Sequence, residues 1–260
     1  MQEEHLLTVN LAKNRPVDFF QNHILYKDNK IYYKDIDGVC YLHTITTHRV
    51  YFVPVSKTNR YSVSVRAKGV SYDFQFATGF LDGSSKSNEE NFAILVNVID
   101  KLIKPFVIIN LLLEFSETFK IQLKNLTVTP EGIHIIKIGF FKNTPMFMLW
   151  EQYYTAQLQK GYLCVYQKFN NKAGNKLFFS CSMYAYNAVV MPDLLNFLAQ
   201  KGGKLDASTR NELLKRKREQ ESQTSENEKT EETKKFCSTC GIGILKSDQK
   251  FCIQCGKRLI

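Results

Sequence analysis

Two stretches of the chain alternate apolar and polar residues with the period of β-strands. Between His23 and Phe80 the alternation is rich in β-branched and aromatic residues, and turn residues such as Asp28, Gly38 and Gly69 interrupt it at short intervals. Successive side chains of a strand point to opposite faces, so this pattern predicts half-buried strands joined by tight turns. We expect an antiparallel sheet of about five to seven strands here.

The pattern then changes to the spacing of a helix. Ser87 stands three residues before Glu90, which is a capping-box arrangement that predicts a helix start. Apolar residues recur along one helical face at Phe92, Leu95, Val96, Ile99, Leu102 and Ile103. Pro105 is predicted to end this helix. The apolar run 106–115 has no deciding period, so strand and helix both stay open for it.

The strand pattern starts again at Phe119 and continues to Met183, with a predicted turn over 130–132. Trp150 lies in an apolar stretch of it, and we interpret this tryptophan as a core residue. A second helix is predicted over 187–200, before a pair of glycines. The chain therefore repeats one order of elements, strands closed by a helix, without obvious residue identity between the copies.

Residues 204–236 lose the apolar pattern and are dominated by Lys, Glu, Ser, Thr, Gln and Asn. This composition predicts a charged, flexible linker over 204–235, since two leucines cannot by themselves anchor the segment to a core. The basic run Lys215–Arg218 fits either a solvated tether or a patch that binds polyanions.

The most specific motif follows the linker and consists of two CxxC pairs separated by eleven residues. Four thiolates in this spacing are the ligands that a tetrahedral zinc ion needs, and they are Cys237, Cys240, Cys252 and Cys255. Because cysteine fills all four positions, no coordination site is open for water, and the predicted Zn²⁺ is structural. Redox-active dithiols are the alternative, but such sites use one CxxC at a helix start.

No other motif carries chemistry. The sequence has no Gly-x-Ser-x-Gly elbow, no phosphate-binding Gly-rich loop and no HExxH pair, so we expect a protein that is not an enzyme. Cys40, Cys164 and Cys181 stand among apolar residues and are predicted to be buried, inert thiols. His43 and His48 are predicted to lie at the surface or in packing contacts, and are not expected to form a ligand pair.

The net charge and the apolar content limit which partners and which compartment are expected. The formal net charge of +10 favours anionic partners, although the excess is spread along the chain and also fits general solubility. Residues 1–5 lack the features of a secretory signal. The most apolar window, 106–113, is far shorter than the roughly 20 residues that cross a bilayer. We therefore expect a cytoplasmic protein with no transmembrane segment.

Two resemblances extend this picture. The segment 236–259, with its CxxCG and FCxxCG knuckles, closely resembles the zinc-ribbon tails of many bacterial proteins. The two strand-rich units resemble pleckstrin-homology (PH) domains in the order of their elements, which implies an α+β fold of bent antiparallel sheets or partly open barrels, each closed by a C-terminal helix. The implied organisation is PH-like domain 1 over 1–104, PH-like domain 2 over 105–203, the linker over 204–235 and the zinc ribbon over 236–260.

The first functional hypothesis is a non-enzymatic cytosolic adaptor. PH-like domains usually bind lipids, peptides or proteins, so the resemblance implies a protein partner or an anionic membrane surface for them, while the zinc ribbon engages a second macromolecule. No small-molecule substrate is evident. Basic residues near predicted turns are the candidate anion contacts: Lys57, Arg60, Lys68, Lys172 and Lys176.

The alternative is a nucleic-acid-binding protein. In it the zinc ribbon, Lys215–Arg218, Lys257 and Arg258 would grip phosphates. Aromatic residues among basic ones could also stack on single-stranded bases, although a half-buried strand shows the same alternation. These aromatic residues are Tyr32, Tyr33, Tyr51, Tyr61 and Tyr72.

The zinc motif gives a direct prediction. We expect the protein, purified without chelators, to contain about one zinc ion per chain, because two CxxC pairs complete one tetrahedral site. Elemental analysis by mass spectrometry measures the stoichiometry. A natively purified chain free of zinc would contradict the assignment.

Overall fold

The structure, a computed structural model, describes residues 4–11, 15–51, 53–78, 85–138, 142–168 and 175–231. These residues form an α+β fold with four antiparallel sheets. The predicted fold class is confirmed at this level. The sequence predicts one bent sheet for each half of the chain, whereas the structure divides the strands of each half between two sheets.

The first half consists of a four-stranded and a three-stranded sheet, both simple meanders. The four-stranded sheet contains β1 His5–Leu11, β2 Arg15–Phe20, β3 His23–Tyr26 and β4 Asn29–Tyr32. A short 3-10 helix, Tyr33–Asp35, interrupts the strands and leads into the second sheet. That sheet contains β5 Ile36–Val50, β6 Val53–Ala67 and β7 Val70–Thr78.

The predicted turns of this half are confirmed in two places and differ in a third. Asp28 and Gly69 lie in hairpin turns with positive φ angles of 63° and 78°. Gly38, however, lies within β5 and not in a turn. A Cβ atom there would stand 2.9 Å from Cδ1 of Tyr186, so the glycine allows a distant segment to pack against the strand.

The second half repeats the same order of strands. Its four-stranded sheet contains β8 Ile121–Leu123, β9 Leu126–Thr129, β10 Gly132–Lys137 and β11 Thr144–Leu149. A 3-10 helix, Trp150–Gln152, again separates the two sheets, so Trp150 lies in this turn and not in a strand, although it is buried as predicted. The three-stranded sheet contains β12 Tyr153–Gln159, β13 Tyr162–Lys168 and β14 Asn175–Ser182.

Four helices accompany the sheets: α1 Ser85–Leu102, α2 Lys104–Thr118, α3 Met191–Gln200 and α4 Ala207–Glu231. The predicted helices correspond to α1, which begins at Ser85 and so two residues before the predicted start, and to α3, which begins at Met191 because residues 187–190 form turns. Pro105 does not end the helical region, because it lies in the first turn of α2, where a backbone N–H has no helical partner anyway. The ambiguous run 106–115 is thus helical.

Helix α2 lies between two hydrophobic cores. Val107 is buried in the core of the first half, with Phe19, Val63 and Phe74, whereas Leu112 is buried in the core of the second half. Ile108 and Leu111 pack against both cores. Such a helix is apolar around most of its circumference, and this explains why its sequence shows no single-faced period. The predicted domain boundary at residue 104 falls at its start.

The open edge of β5 is partly covered by the chain that follows β14. The backbone N–H of Asn187 donates to Val39 O at 2.7 Å, and the Asn187 side chain accepts from Val39 N at 3.1 Å and donates to Asp37 O at 2.9 Å. Tyr41 N donates to Met183 O at 3.2 Å. Residues 183–187 of the second half are therefore hydrogen-bonded to an edge strand of the first half.

The segment predicted as a linker differs from that prediction, because most of it forms α4. The Asp206 side chain accepts from Thr209 N at 2.7 Å and caps the helix start. Leu213 is buried in the second core, and Arg210 pairs with Glu117 of α2 at 3.2 Å. The buried Leu213 and the partly buried Leu214, together with a cap and an ion pair, therefore dock a helix that is otherwise mostly polar.

The Asn187 contacts give a stability prediction. We expect Asn187→Ala to lower the free energy of unfolding by about 2 to 3 kcal/mol, because its side-chain bonds to β5 are lost and alanine disfavours the positive φ of 67° at this position. Urea unfolding followed by circular dichroism measures the change. The exposed Asn143 supplies the control: Asn143→Ala should stay within about 0.5 kcal/mol. Equal effects of the two substitutions would contradict the role of Asn187.

Candidate functional site

A cleft of about 330 Å³ lies where the two halves meet. One wall comes from β5 and α1 of the first half, and the other comes from the β12–β13 turn and the end of β14 in the second half. Its lining residues are Tyr41, Leu42, His43, Phe92, Val96, Lys160, Gly161, Ser182 and Met183. The described lining therefore mixes apolar side chains with a few polar ones, as is common for ligand sites, and it includes no carboxylate.

The edge of β5 continues into this cleft. The backbone N–H and C=O of Val39 and the N–H of Tyr41 point away from β6, since they form hydrogen bonds with Asn187 and Met183. The pairing with β6 runs without a shift from Gly38 to His48, so His43 directs its own N–H and C=O to the same edge. Within the described part of the chain, no group bonds to them. The cleft therefore offers the backbone N–H and C=O of His43 to a ligand, directly after the part of the β5 edge that residues 183–187 cover.

Aromatic contacts fix the His43 side chain. Its ring stacks on Tyr61, with 4.3 Å between the ring centroids, and Tyr61 in turn lies 5.0 Å from the Phe92 ring of α1. The Tyr61 hydroxyl donates to Glu89 Oε1 at 2.8 Å. Burial, together with this carboxylate, raises the pKa of Tyr61 to about 12, so the phenol stays neutral and keeps donating. The imidazole thus has a defined position at the rim.

Tyr41 forms the apolar floor and keeps its hydroxyl occupied. The hydroxyl donates to Asp100 Oδ1 at 2.7 Å. Burial first, and the Asp100 charge second, raise the pKa of Tyr41 far above its ordinary value, so it does not ionise. Lys104 lies 4.0 Å from Asp100 and 2.8 Å from Asp193. These carboxylates are therefore paired with a cation outside the cleft.

Lys160 supplies the positive charge of the cleft. It lies with Gly161 in the β12–β13 turn, where both residues have positive φ angles of 50° and 81°. Gly161 O accepts from Met183 N at 3.0 Å, which ties this turn to the segment that covers β5. The exposed Lys160 has no ion-pair partner among the described residues. The cleft is therefore suited to a ligand with an anionic group.

The described residues around the cleft do not suggest nucleophilic catalysis. Ser182 Oγ accepts a hydrogen bond from Tyr184 N at 3.2 Å. The three described cysteines are buried, as predicted: Cys40, Cys164 and Cys181. Burial raises the pKa of Cys181 to about 11, which keeps it a thiol at neutral pH, and a thiol is a poor nucleophile.

The predicted zinc ligands Cys237, Cys240, Cys252 and Cys255 lie outside the described residues, as do Lys172, Lys257 and Arg258. The structure does not bring the other predicted anion contacts together in the cleft. Arg60 lies on β6, Lys176 lies on β14, and Lys68 pairs with Asp35 at 2.7 Å. Lys57 lies in the outer part of the β5–β6 hairpin.

The basic run and the tyrosines that could bind nucleic acid do not form one surface among the described residues. On α4, Lys215 lies 3.8 Å from Glu219, and Arg216 pairs with Glu212, so half of the basic run is neutralised along the helix. Tyr33 and Tyr61 are buried in the core and cannot stack on bases, whereas Tyr51 is exposed. The tyrosines therefore do not form one open platform.

No sequence motif indicates the cleft, and the sequence predicts only that His43 lies at the surface or in packing contacts. His43 and Lys160 stand far apart in the sequence, and no motif connects them. The Lys160–Gly161 pair is a turn signal in the sequence, but a turn by itself does not indicate a site.

Comparisons with known proteins do not assign this chain to a family. The sequence matches no protein-family model, and a search of curated proteins finds no similar sequence. Over the part of the chain that the structure describes, no helix has both the length and the apolar character that crossing a membrane requires.

Proposed function

We propose that this chain is a non-enzymatic cytosolic adaptor built from two PH-like units and a structural zinc ribbon, and that the cleft between the units binds an extended peptide segment of a partner protein. The PH-like assignment is supported by the repeated order of elements. In each half, four strands, a 3-10 turn and three strands precede a helix. The three buried, unpaired thiols are consistent with a reducing compartment.

The observation that carries the proposal is the uncovered part of the β5 edge. An extended peptide can add to a strand edge through backbone hydrogen bonds, while pockets beside the edge select its side chains. The protein's own residues 183–187 already bind this edge in such a manner at Val39 and Tyr41. A peptide that bonds to His43 would continue the same arrangement into the cleft.

The side chains around this edge define the peptide. Phe92, Val96 and Met183 offer an apolar wall for one side chain of the peptide, and Lys160 offers a charge for a carboxylate close to it. We therefore infer a segment with an apolar residue and an Asp or Glu within about two residues, which is the spacing of neighbours on one face of a strand. A protein partner is favoured over a membrane surface, because the predicted anion contacts Arg60, Lys68 and Lys176 are not part of the cleft, and Lys68 is already paired with Asp35.

The zinc ribbon completes the adaptor. Cys237, Cys240, Cys252 and Cys255 are proposed to hold one zinc ion, whose binding free energy stabilises a module too small for a core of its own. The surface of this module would then contact the second macromolecule.

Panning of random displayed peptides against the full chain tests the proposal. We expect enrichment of segments that combine an apolar and an acidic residue. Fluorescence anisotropy of one such synthetic peptide should show an affinity about fivefold weaker for Lys160→Gln, because an exposed ion pair contributes up to about 1 kcal/mol. Backbone N-methylation of the peptide should abolish binding at alternate positions, since only every second amide faces β5.

Lys124 provides the matched control, because it also lies in a tight hairpin turn and has a positive φ of 48°. Lys124→Gln should bind the peptide as the unaltered chain does. Binding that tolerates N-methylation everywhere, or that Lys124→Gln weakens as much as Lys160→Gln, would contradict the proposed mode.

A further inference from the structure

The outer face of the β8–β11 sheet is apolar near its β11 edge. We call the side chains of Ile136, Pro145, Phe147 and Leu149 the β11 surface. Ile136, Phe147 and Leu149 are 50%, 44% and 43% exposed, and a hollow of about 350 Å³ lies beside them on this face. The corresponding sheet of the first half exposes a single large apolar side chain, Leu6, among its described strands. The two four-stranded sheets therefore have the same strand order but differ in how many apolar side chains they expose.

Among the strands that the structure describes, none pairs with the outer edge of β11. Ile136 N donates to Asn125 O, and the Asn125 side chain donates to Ile136 O, so the backbone groups of Ile136 face away from β11. Ile136 is paired with Pro145, and the alternation of the ladder then directs the backbone groups of Pro145, Phe147 and Leu149 to the outer edge.

These edge groups are not equivalent. Pro145 has a carbonyl group and no N–H. Leu149 N already donates to the side chain of Gln152 at 3.1 Å. Among the described residues of the β11 edge, Phe147 alone therefore offers both a donor and an acceptor. This asymmetry strongly restricts the registers in which another strand can pair.

We propose that the β11 edge binds the β11 edge of a second copy of this chain, antiparallel and around a two-fold axis. In the register that places Phe147 opposite Phe147, the two phenylalanines exchange both of their backbone hydrogen bonds. Pro145 then lies opposite Leu149, whose N–H keeps its bond to the Gln152 side chain, so this flanking pair adds no backbone hydrogen bond. The leucine carbonyl faces a proline that has no N–H, so the two sheets are joined through the Phe147 pair and the apolar contacts of the β11 surface.

Charge complementarity selects the second copy as the occupant. Lys137 and Lys142 are exposed at the end of the hairpin where β11 begins, whereas Glu131 and Glu151 are exposed at the end where β11 stops. An antiparallel pair brings the lysines of each copy to the glutamates of the other. A parallel pair would bring like charges together, which is unfavourable.

The arrangement is closed. A two-fold interface uses the same patch on both copies, so no β11 edge is left over for a third chain. The short strand and its proline also limit uncontrolled pairing, since both features are common protections of strand edges.

Sedimentation equilibrium on the full chain tests the proposal. We expect a monomer–dimer equilibrium for the unaltered protein and a dimer dissociation constant at least about tenfold higher for Phe147→Asp, which places two like charges on the axis. Tyr154 is the matched control, because it is 52% exposed on β12 and outside the β11 surface. Tyr154→Asp should leave the equilibrium unchanged.

Charge reversal gives a second readout that does not depend on the fold of the Phe147 variant. Lys142→Glu and Glu151→Lys should each weaken the dimer, and the chain that carries both should recover it, because each lysine again meets a glutamate. A protein that is monomeric at all concentrations overturns the proposal. A dimer that Phe147→Asp leaves intact, or that the double reversal does not restore, overturns it as well.

Discussion

The hydrogen bonds between the β5 edge and residues 183–187 determine how the two halves are arranged. They fill the edge at Val39 and Tyr41, and they bring Val189 and Val190 into the core of the first half. The same contact brings Gly161 and Met183 beside β5 and so creates the cleft. The second half uses a related solution at its own edge, where the Asn196 side chain bonds to both the N–H and the C=O of Ala156 at 3.3 Å.

Contacts at strand edges therefore determine how the sheets of this fold are arranged. An edge strand has unpaired backbone groups that attract other strands, and proteins usually cover or interrupt them. In this chain two asparagine side chains cover parts of strand edges: Asn187 bonds to β5, and Asn196 bonds to β12. The edge at His43 and the edge at Phe147 stay open within the described structure, and they differ in chemistry. A lysine and aromatic rings surround the first, whereas the second is apolar with charges only at its ends.

Helix α2 makes the two halves interdependent. Because it contributes to both cores, neither half can be removed without exposing apolar surface on this helix, at about 25 cal/mol per Å² of apolar area. Helix α4 extends this interdependence, since it packs on α2 and is anchored by Leu213. The two halves thus form one assembly around a shared helix.

The sequence alone determined the local elements: the strand alternation that buries Val63 and Val65, the helix after Ser87, and the turns at Asp28 and Gly69. These follow from period and turn chemistry, which are local. The CxxC pairs remain a sequence-based prediction. Tertiary structure decided the rest, because it depends on contacts between distant residues. It made the run 106–115 a shared helix, docked α4 through Leu213 and Leu214, packed Tyr186 against Gly38, and brought His43 and Lys160 to one cleft.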